Sequence, residues 1–316
     1  MLIISTIKKI IKARRRNIKF EEIANMWLES KKNYVKESTY YNYMFKINKY
    51  LIPKFKEKNI TEIYSYNEYI NKLSEQLSYS TVKDIIIVLK SILRYYEDEF
   101  ECKLKVKNIN LPKREKIKLE ILNKKEQRKL ERYCEKENSI LAQGIIVCLN
   151  TGLRIGEICA LKWNNVNFEN RKIYVTNTLQ RVYKRDENKT EIIIRKAKTE
   201  MSVREIPMNN KVYEILKNIK RKHKNSEFVI VKLDGNIVEP RYYQDYFKKI
   251  LKANKIKKYK FHILRHTFAS NCVEIGMDAK TLSEILGHSD VSTTLNIYVH
   301  SSDEIKEKYL KKLNKK

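Results

Sequence analysis

Apolar residues recur at helical spacing through the first hundred positions. In FEEIANMWL, Phe20, Ile23, Ala24, Trp27 and Leu28 fall on one face, which predicts an amphipathic helix. Ser38 is placed to cap a second helix, running through TYYNYMFKINKYL and stopped by Pro53. A third is predicted around residues 66–76. The strongest period is TVKDIIIVLKSILRYY, where Val82, Ile85, Ile86, Leu89, Ile92, Leu93 and Tyr96 turn inward. Together these make a helical module of about 85 residues, the size of a small independent domain.

NINLPKREKIKLEIL follows, polar and basic around Pro112, and reads as a linker because proline removes a donor and keeps Leu111 extended. Asn123 and Glu126 have capping-box spacing and open a second domain. A helix through SILAQGIIVCLN ends at Gly152, and another starts near Arg154. The period then changes. RKIYVTNTLQRVY, TEIIIRKAK and SVREIPM are β-branched runs between polar turns, which predicts three antiparallel strands, the third ended by Pro207. NKVYEILKNIKRK returns to helix, Asp234-Gly235 makes a turn, and a further helix opens at Pro240. The expected fold is mainly α with a small antiparallel β-sheet, in four parts: a basic segment 1–19, a helical domain 20–105, a linker 106–119 and a mixed α+β domain 120–316.

Charge changes the picture of what this fold meets. The chain of 316 residues carries 67 Lys+Arg against 38 Asp+Glu, a formal charge of +29. Such a surface attracts polyanions, and each phosphate neutralised releases counterions, so nucleic acid is the leading partner. A general bias towards Lys, Ile, Asn and Tyr codons would inflate lysine without any such partner. Five scattered cysteines, Cys102, Cys134, Cys148, Cys159 and Cys272, lack metal or redox spacing and read as reduced core residues of a cytosolic protein. The opening MLIISTIKKIIKARRRN has neither the order nor the apolar length of a secretory signal, and no stretch approaches a membrane span. It reads equally as a basic arm on DNA phosphate or a frayed helix.

Candidate chemistry is concentrated in the second domain. TGLRIGE puts Arg154 in the first turn of a helix, where free N–H groups already favour an anion. FHILRHTFAS puts His262 and Arg265 at i and i+3, able to address one phosphate, while His266 points elsewhere. Lys198 falls at the turn between the second and third strands, where an ammonium can swing into a site as a proton donor. His288 follows Gly287, a left-handed helix stop after AKTLSEIL, and Ser292 or Thr293 caps a helix carrying Tyr298. A tyrosine with pKa ~10 is a poor nucleophile unless cations stabilise its oxyanion or a base takes its proton. The plainer reading makes Leu295, Tyr298 and Val299 an apolar stripe. His262 and His266 have zinc-protease spacing, but Ile263 stands where that motif needs glutamate and no acidic third ligand is near.

As an ordered set, TGLRIGE, KTEMSVREIPM, HILRH, LGH and a tyrosine ten residues after His288 resemble the tyrosine recombinases, the phage integrase family. The resemblance runs over residues 20–310. Trp27-Leu28, S38TYYNY43 and Y50LIP53 are similar to the core-binding domain of mobile-element integrases, and the α+β domain to the family's catalytic domain.

The resemblance implies a site-specific recombinase that cleaves and rejoins double-stranded DNA without metal, cofactor or ATP, integrating or excising a mobile element. Tyr298 would form a 3′-phosphotyrosyl bond, with Arg154 and Arg265 clamping the non-bridging oxygens. Lys198 would protonate the leaving 5′-oxygen, His262 would assist proton transfer, His288 would hydrogen-bond the phosphate and Glu157 would orient its neighbours. Four protomers would act on two DNA sites, with each chain forming a clamp whose strap is 106–119, and the tail SSDEIKEKYLKKLNKK docked on a neighbour. Accessory directionality or DNA-bending factors and a cytoplasmic, nucleoid-associated location go with this. Rival readings are a chromosome-dimer resolvase or invertase of the same chemistry and a catalytically silent DNA-binding regulator; a type IB topoisomerase fits the motif spacing less well. About nineteen residues precede Phe20, too few for the arm-binding domain of many integrases, so recognition is expected to rest on the core site unless the chain is a piece of a longer one.

Overall fold

The computed structural model describes residues 18–113, 120–184, 189–196, 203–223, 226–288 and 290–299. The chain divides into two compact units, Met1–Lys116 and Ile117–Lys316.

In the first unit, α1 (Phe20–Lys31) buries the five residues that the period selects. Next comes α2 (Glu37–Lys46), whose N-cap is Lys36 with no side-chain cap. Ser38 is therefore inside the first turn, where Glu37 offsets the helix dipole instead. Pro53 does not stop the run. A π-helical turn, Ile47–Leu51, leads into α3 (Ile52–Phe55) with Pro53 in its first turn. Ile52 N–H bonds back to the Ile47 carbonyl, and this wider turn relieves the proline of the donor and clearance a regular α-turn requires. The unit closes with α4 (Asn67–Gln76) and α5 (Tyr79–Glu99), the latter capped by Ser78 and burying Val88 besides the seven predicted residues.

The second unit opens with α6 (Lys124–Glu137), where Asn123 and Glu126 form the expected capping box. Next, α7 (Ile140–Thr151) is buried nearly all round and ends at Gly152, φ +67°. A short α8 (Ile155–Cys159) follows. The strands are β1 (Val166–Asn167), β2 (Lys172–Val175), β3 (Asn177–Lys184), β4 (Lys189–Lys196) and β5 (Arg204–Pro207). The first predicted strand is thus two. The chain leaves a three-stranded antiparallel sheet, order β1-β2-β5, at Thr176 and enters a separate β3-β4 hairpin. Packing explains the break, since β3 lies against α8 at Gly156. A Cβ there would stand 2.5 Å from Thr178 Oγ1 and 2.7 Å from the Leu179 carbonyl oxygen.

The remaining helices are α9 (Asn210–Lys222), α10 (Pro240–Ala253), α11 (Ile263–Glu274), α12 (Ala279–Leu286) and α13 (Val291–Val299). Neither Ser292 nor Thr293 caps α13. The Asp290 carboxylate accepts from Ser292 N–H at 2.8 Å and from its hydroxyl, because an acidic side chain is available immediately before the helix, two residues ahead of Ser292. Leu130, Ile146, Ile158, Ile173, Phe247 and Leu264 share the main core of this unit, so helices and sheet pack as one body around the Arg154 segment. No described helix is long and apolar enough to cross a membrane. All five cysteines are free, four of them buried.

Candidate active site

The site is built on the ends of three helices. Arg154 is the N-cap of α8, in extended conformation, rather than part of its first turn. Its backbone N–H donates to Glu157 Oε2 at 2.8 Å, and its Nη1 donates to Oε1 of the same carboxylate at 2.8 Å. The guanidinium also reaches the end of α12, where Nη1 lies 3.4 Å from the Leu286 carbonyl oxygen and Nη2 3.0 Å from that of Gly287. Gly287 sits at φ +64°, the left-handed stop that frees these carbonyls from the helix.

Arg265, on α11, is only 2% exposed. Its Nη1 donates to the Gly152 carbonyl at 2.9 Å and its Nη2 to that of Leu286 at 2.6 Å. Burial, followed by the like charge of Arg154, presses its pKa down to about 9, which still leaves the guanidinium cationic at neutral pH. Such a buried cation is tolerated because helix-end carbonyls carry the negative pole of the macrodipole.

Sequence reasoning missed Arg204. This residue, on β5 and 8% exposed, clamps Glu157 bidentately: Nη1 to Oε1 at 3.0 Å and Nη2 to Oε2 at 2.8 Å. Its Nε donates to the Ile285 carbonyl at 2.6 Å. The signal was present, because β5 alternates buried and exposed and so puts Arg204 on the same inward face as Ile206. A charge on the apolar face of a strand needs a partner. Burial works to raise the Glu157 pKa, but hydrogen bonding and charge from Arg204, then Arg154, outweigh it and hold the carboxyl below its ordinary value.

His262 is the N-cap of α11 and exposed, one turn before the buried Arg265. His266 does not point elsewhere. Its ring meets that of His262 edge to face at 4.6 Å between centroids, because i and i+4 side chains stack along a helix. His288 follows the Gly287 stop, and its Nδ1 pairs with the buried Thr294 hydroxyl at 2.8 Å, which ties it to α13. Partial desolvation and then neighbouring cations lower both site histidines: His262, beside His266 and Arg265, to about 4, and His288, facing Arg265 and Arg154, also to about 4. Both imidazoles are therefore neutral at pH 7, in a field set by three guanidinium groups against one carboxylate. That excess of positive charge suits an anion. Beside Arg154 and His262 opens a cleft of ≈ 930 Å³, lined also by Arg181, Lys248, Lys258 and Lys260.

The structure thus brings Arg154, Glu157, His262, Arg265 and His288 together, with Arg204 added. Tyr298 belongs to α13, but its side chain lies outside the described residues, as does the whole of Lys198. Among the described residues no three His, Cys, Asp or Glu side chains are grouped to hold a metal.

Residues 120–304 match the phage integrase family, and residues 19–74 match the phage integrase N-terminal SAM-like domain. A tyrosine recombinase XerC-like protein of Caldanaerobacter subterraneus subsp. tengcongensis is 29% identical over 308 residues, covering 90% of this chain and 75% of that protein. The transposase of transposon Tn916 from Enterococcus faecalis is 32% identical over 188 residues, covering 54% of this chain; the match spans under half of that protein, 45%. In fold, the chain is similar to the Tn1549 transposon integrase solved with circular intermediate DNA (TM-score 0.78, 22% identity, 94% of this chain and 99% of that one). It is also similar to the lambda integrase tetramer solved on a Holliday junction (TM-score 0.66, 18% identity, 88% of this chain and 79% of that one). The chain belongs to the phage integrase family, as a site-specific tyrosine recombinase of the mobile-element type.

Proposed function

We propose that the Arg154–Arg265 cluster binds the scissile phosphate of duplex DNA and that Tyr298 is the nucleophile. The observation that carries this reading is the pair of arginines gathered at the end of α12, in surplus over the one carboxylate among them. The Tyr298 oxygen forms a bond to phosphorus while the bond to the 5′-oxygen breaks, leaving a 3′-phosphotyrosyl linkage and a 5′-hydroxyl. The tyrosine proton passes to a base, with His262, neutral at pH 7, as the candidate acceptor. Lys198 returns a proton to the leaving oxygen. Charge builds on the equatorial oxygens in the transition state, and fixed guanidinium groups stabilise it without reorganising. His288 donates from Nε2 to the phosphate, with Thr294 fixing the other ring nitrogen. Glu157 orients Arg154, and Arg204 holds Glu157.

The linkage conserves the phosphoester energy, so rejoining needs no ATP, and strand exchange between two sites by a tetramer follows from repeating the step. The name of the Tn916 transposase among the relatives supports movement of a mobile element. Covalent trapping tests the reading. Parent protein and a Tyr298→Phe variant are incubated with fragmented host DNA, denatured, and the DNA left on protein is sequenced. Adducts at a defined site, absent from the variant, are expected. Tight binding without adducts, on nicked substrates as well, would leave a DNA-binding regulator in its place.

A further inference from the structure

Outside the cleft, one face of α6 carries Lys125, Arg128, Lys129, Arg132 and Lys136. At 100° per residue these positions fall within an arc of about 100°, and at 1.5 Å rise they extend about 16 Å along the helix. They line a shallow groove of ≈ 620 Å³, closed on one side by Tyr133 and Asn254, that shares no residue with the cleft beside Arg154. The acids of the same helix are engaged off this face. Glu126 closes the capping box, Glu131 and Glu135 pair with Lys211, and Glu137 accepts from Ser139. None of the five cations forms an ion pair or side-chain hydrogen bond with a described residue.

We infer that this face binds the sugar-phosphate backbone of a second segment of duplex DNA, apart from the one in the active-site cleft. Duplex DNA presents about one charge per 1.7 Å of axis, so 16 Å of it offers roughly ten phosphates to five cations. A protein partner fits less well, since protein interfaces concentrate apolar and aromatic side chains at their centre, and here Tyr133 is the one such residue. A row of long, flexible cations along a shallow groove suits backbone phosphates, so the face adds affinity wherever a duplex passes. The inference goes beyond the catalytic reading and does not need Tyr298 to be the nucleophile.

The test combines two readouts on the full chain with a random-sequence duplex several helical turns long. A photo-crosslinking amino acid at position 129 should become attached to DNA, and with both duplexes supplied in different labels, to a second duplex on protein already saturated with the first. A triple variant, Arg128→Ala, Lys129→Ala and Arg132→Ala, should lower the slope of log affinity against log salt by about 2 to 3, near 0.9 for each phosphate no longer neutralised, with its melting temperature unchanged. Crosslinks only to protein, or an unchanged slope in the triple variant, would overturn the inference. Phosphotyrosyl adduct formation is scored separately with Tyr298→Phe, so failure of the catalytic reading would be visible on its own.

Discussion

Arg154 and Arg265 converge on one acceptor: both guanidinium groups donate to the Leu286 carbonyl oxygen, at 3.4 Å and 2.6 Å. Like charges this close repel, and an anion between them relieves the repulsion. Sulfate or inorganic phosphate should therefore raise the melting temperature above that in chloride at equal ionic strength. At a hundredfold excess over its dissociation constant the stabilisation approaches about 2.7 kcal/mol. In Arg265→Lys the gain should shrink, and cleavage should fall by roughly 10²–10³-fold, because lysine cannot present two fixed donors. An equal response to both salts in the parent would refute an anion site here.

Glu157 and Arg204 are both nearly out of solvent and paired at 2.8 Å. Removing the carboxylate charge with Glu157→Gln leaves two arginines facing each other, with Arg204 buried. The cost should be about 3–5 kcal/mol, the usual penalty for stranding one member of a buried pair. Urea denaturation measures it. A loss below about 1 kcal/mol would mean that the carbonyls of α12 alone hold Arg204.

Acid should loosen this unit through its histidines. His262 and His288 are lowered to about 4 in the fold, below the ordinary histidine value of about 6.5. Between those values the unfolded chain binds more protons than the folded one, so stability falls as pH drops from about 6.5 towards 4. Above 6.5 the contribution is complete. Glu157, held below its ordinary value, adds a loss of the same sign at still lower pH. Melting temperatures across this range should slope less in His288→Asn than in the parent, and parallel slopes would count against the assignment.

Gly156 is where α8 rests on β3, and an added Cβ would meet the Thr178 hydroxyl oxygen at 2.5 Å and a backbone carbonyl at 2.7 Å. Gly156→Ala should cost about 1–3 kcal/mol by overpacking. Cleavage should suffer further, by about 10²-fold, because α8 carries Arg154 and a small misplacement disrupts the attack geometry. Comparing cleavage rates below the melting transition separates the two effects.

Much of the fold was legible because local chemistry decided it. The apolar faces of α1 and α5, the Asn123–Glu126 box and the glycine stops at 152 and 287 each depend on residues within one or two turns. What was misread depends on partners far along the chain. The strand break at Thr176 follows from α8 packing on β3, and the helix continuing through Pro53 follows from a π-turn that periodicity does not announce. Arg204 escaped notice because its role exists only opposite Glu157, 47 residues away. Ring contact between His262 and His266 was available from i,i+4 spacing and was overlooked.

The final turn of α12 offers three carbonyls, and arginines from three separate elements occupy them: Arg204 at Ile285, Arg154 and Arg265 at Leu286, Arg154 again at Gly287. The next residue, His288, is fastened to Thr294 on the helix that bears Tyr298. The arginine cluster and the helix bearing Tyr298 thus hang from one hook. Were the α12–α13 segment to swing outward, it would strip the guanidinium groups of their acceptors as it carried the helix bearing Tyr298 away, so on the proposed reading withholding the tyrosine and loosening the phosphate grip are one movement.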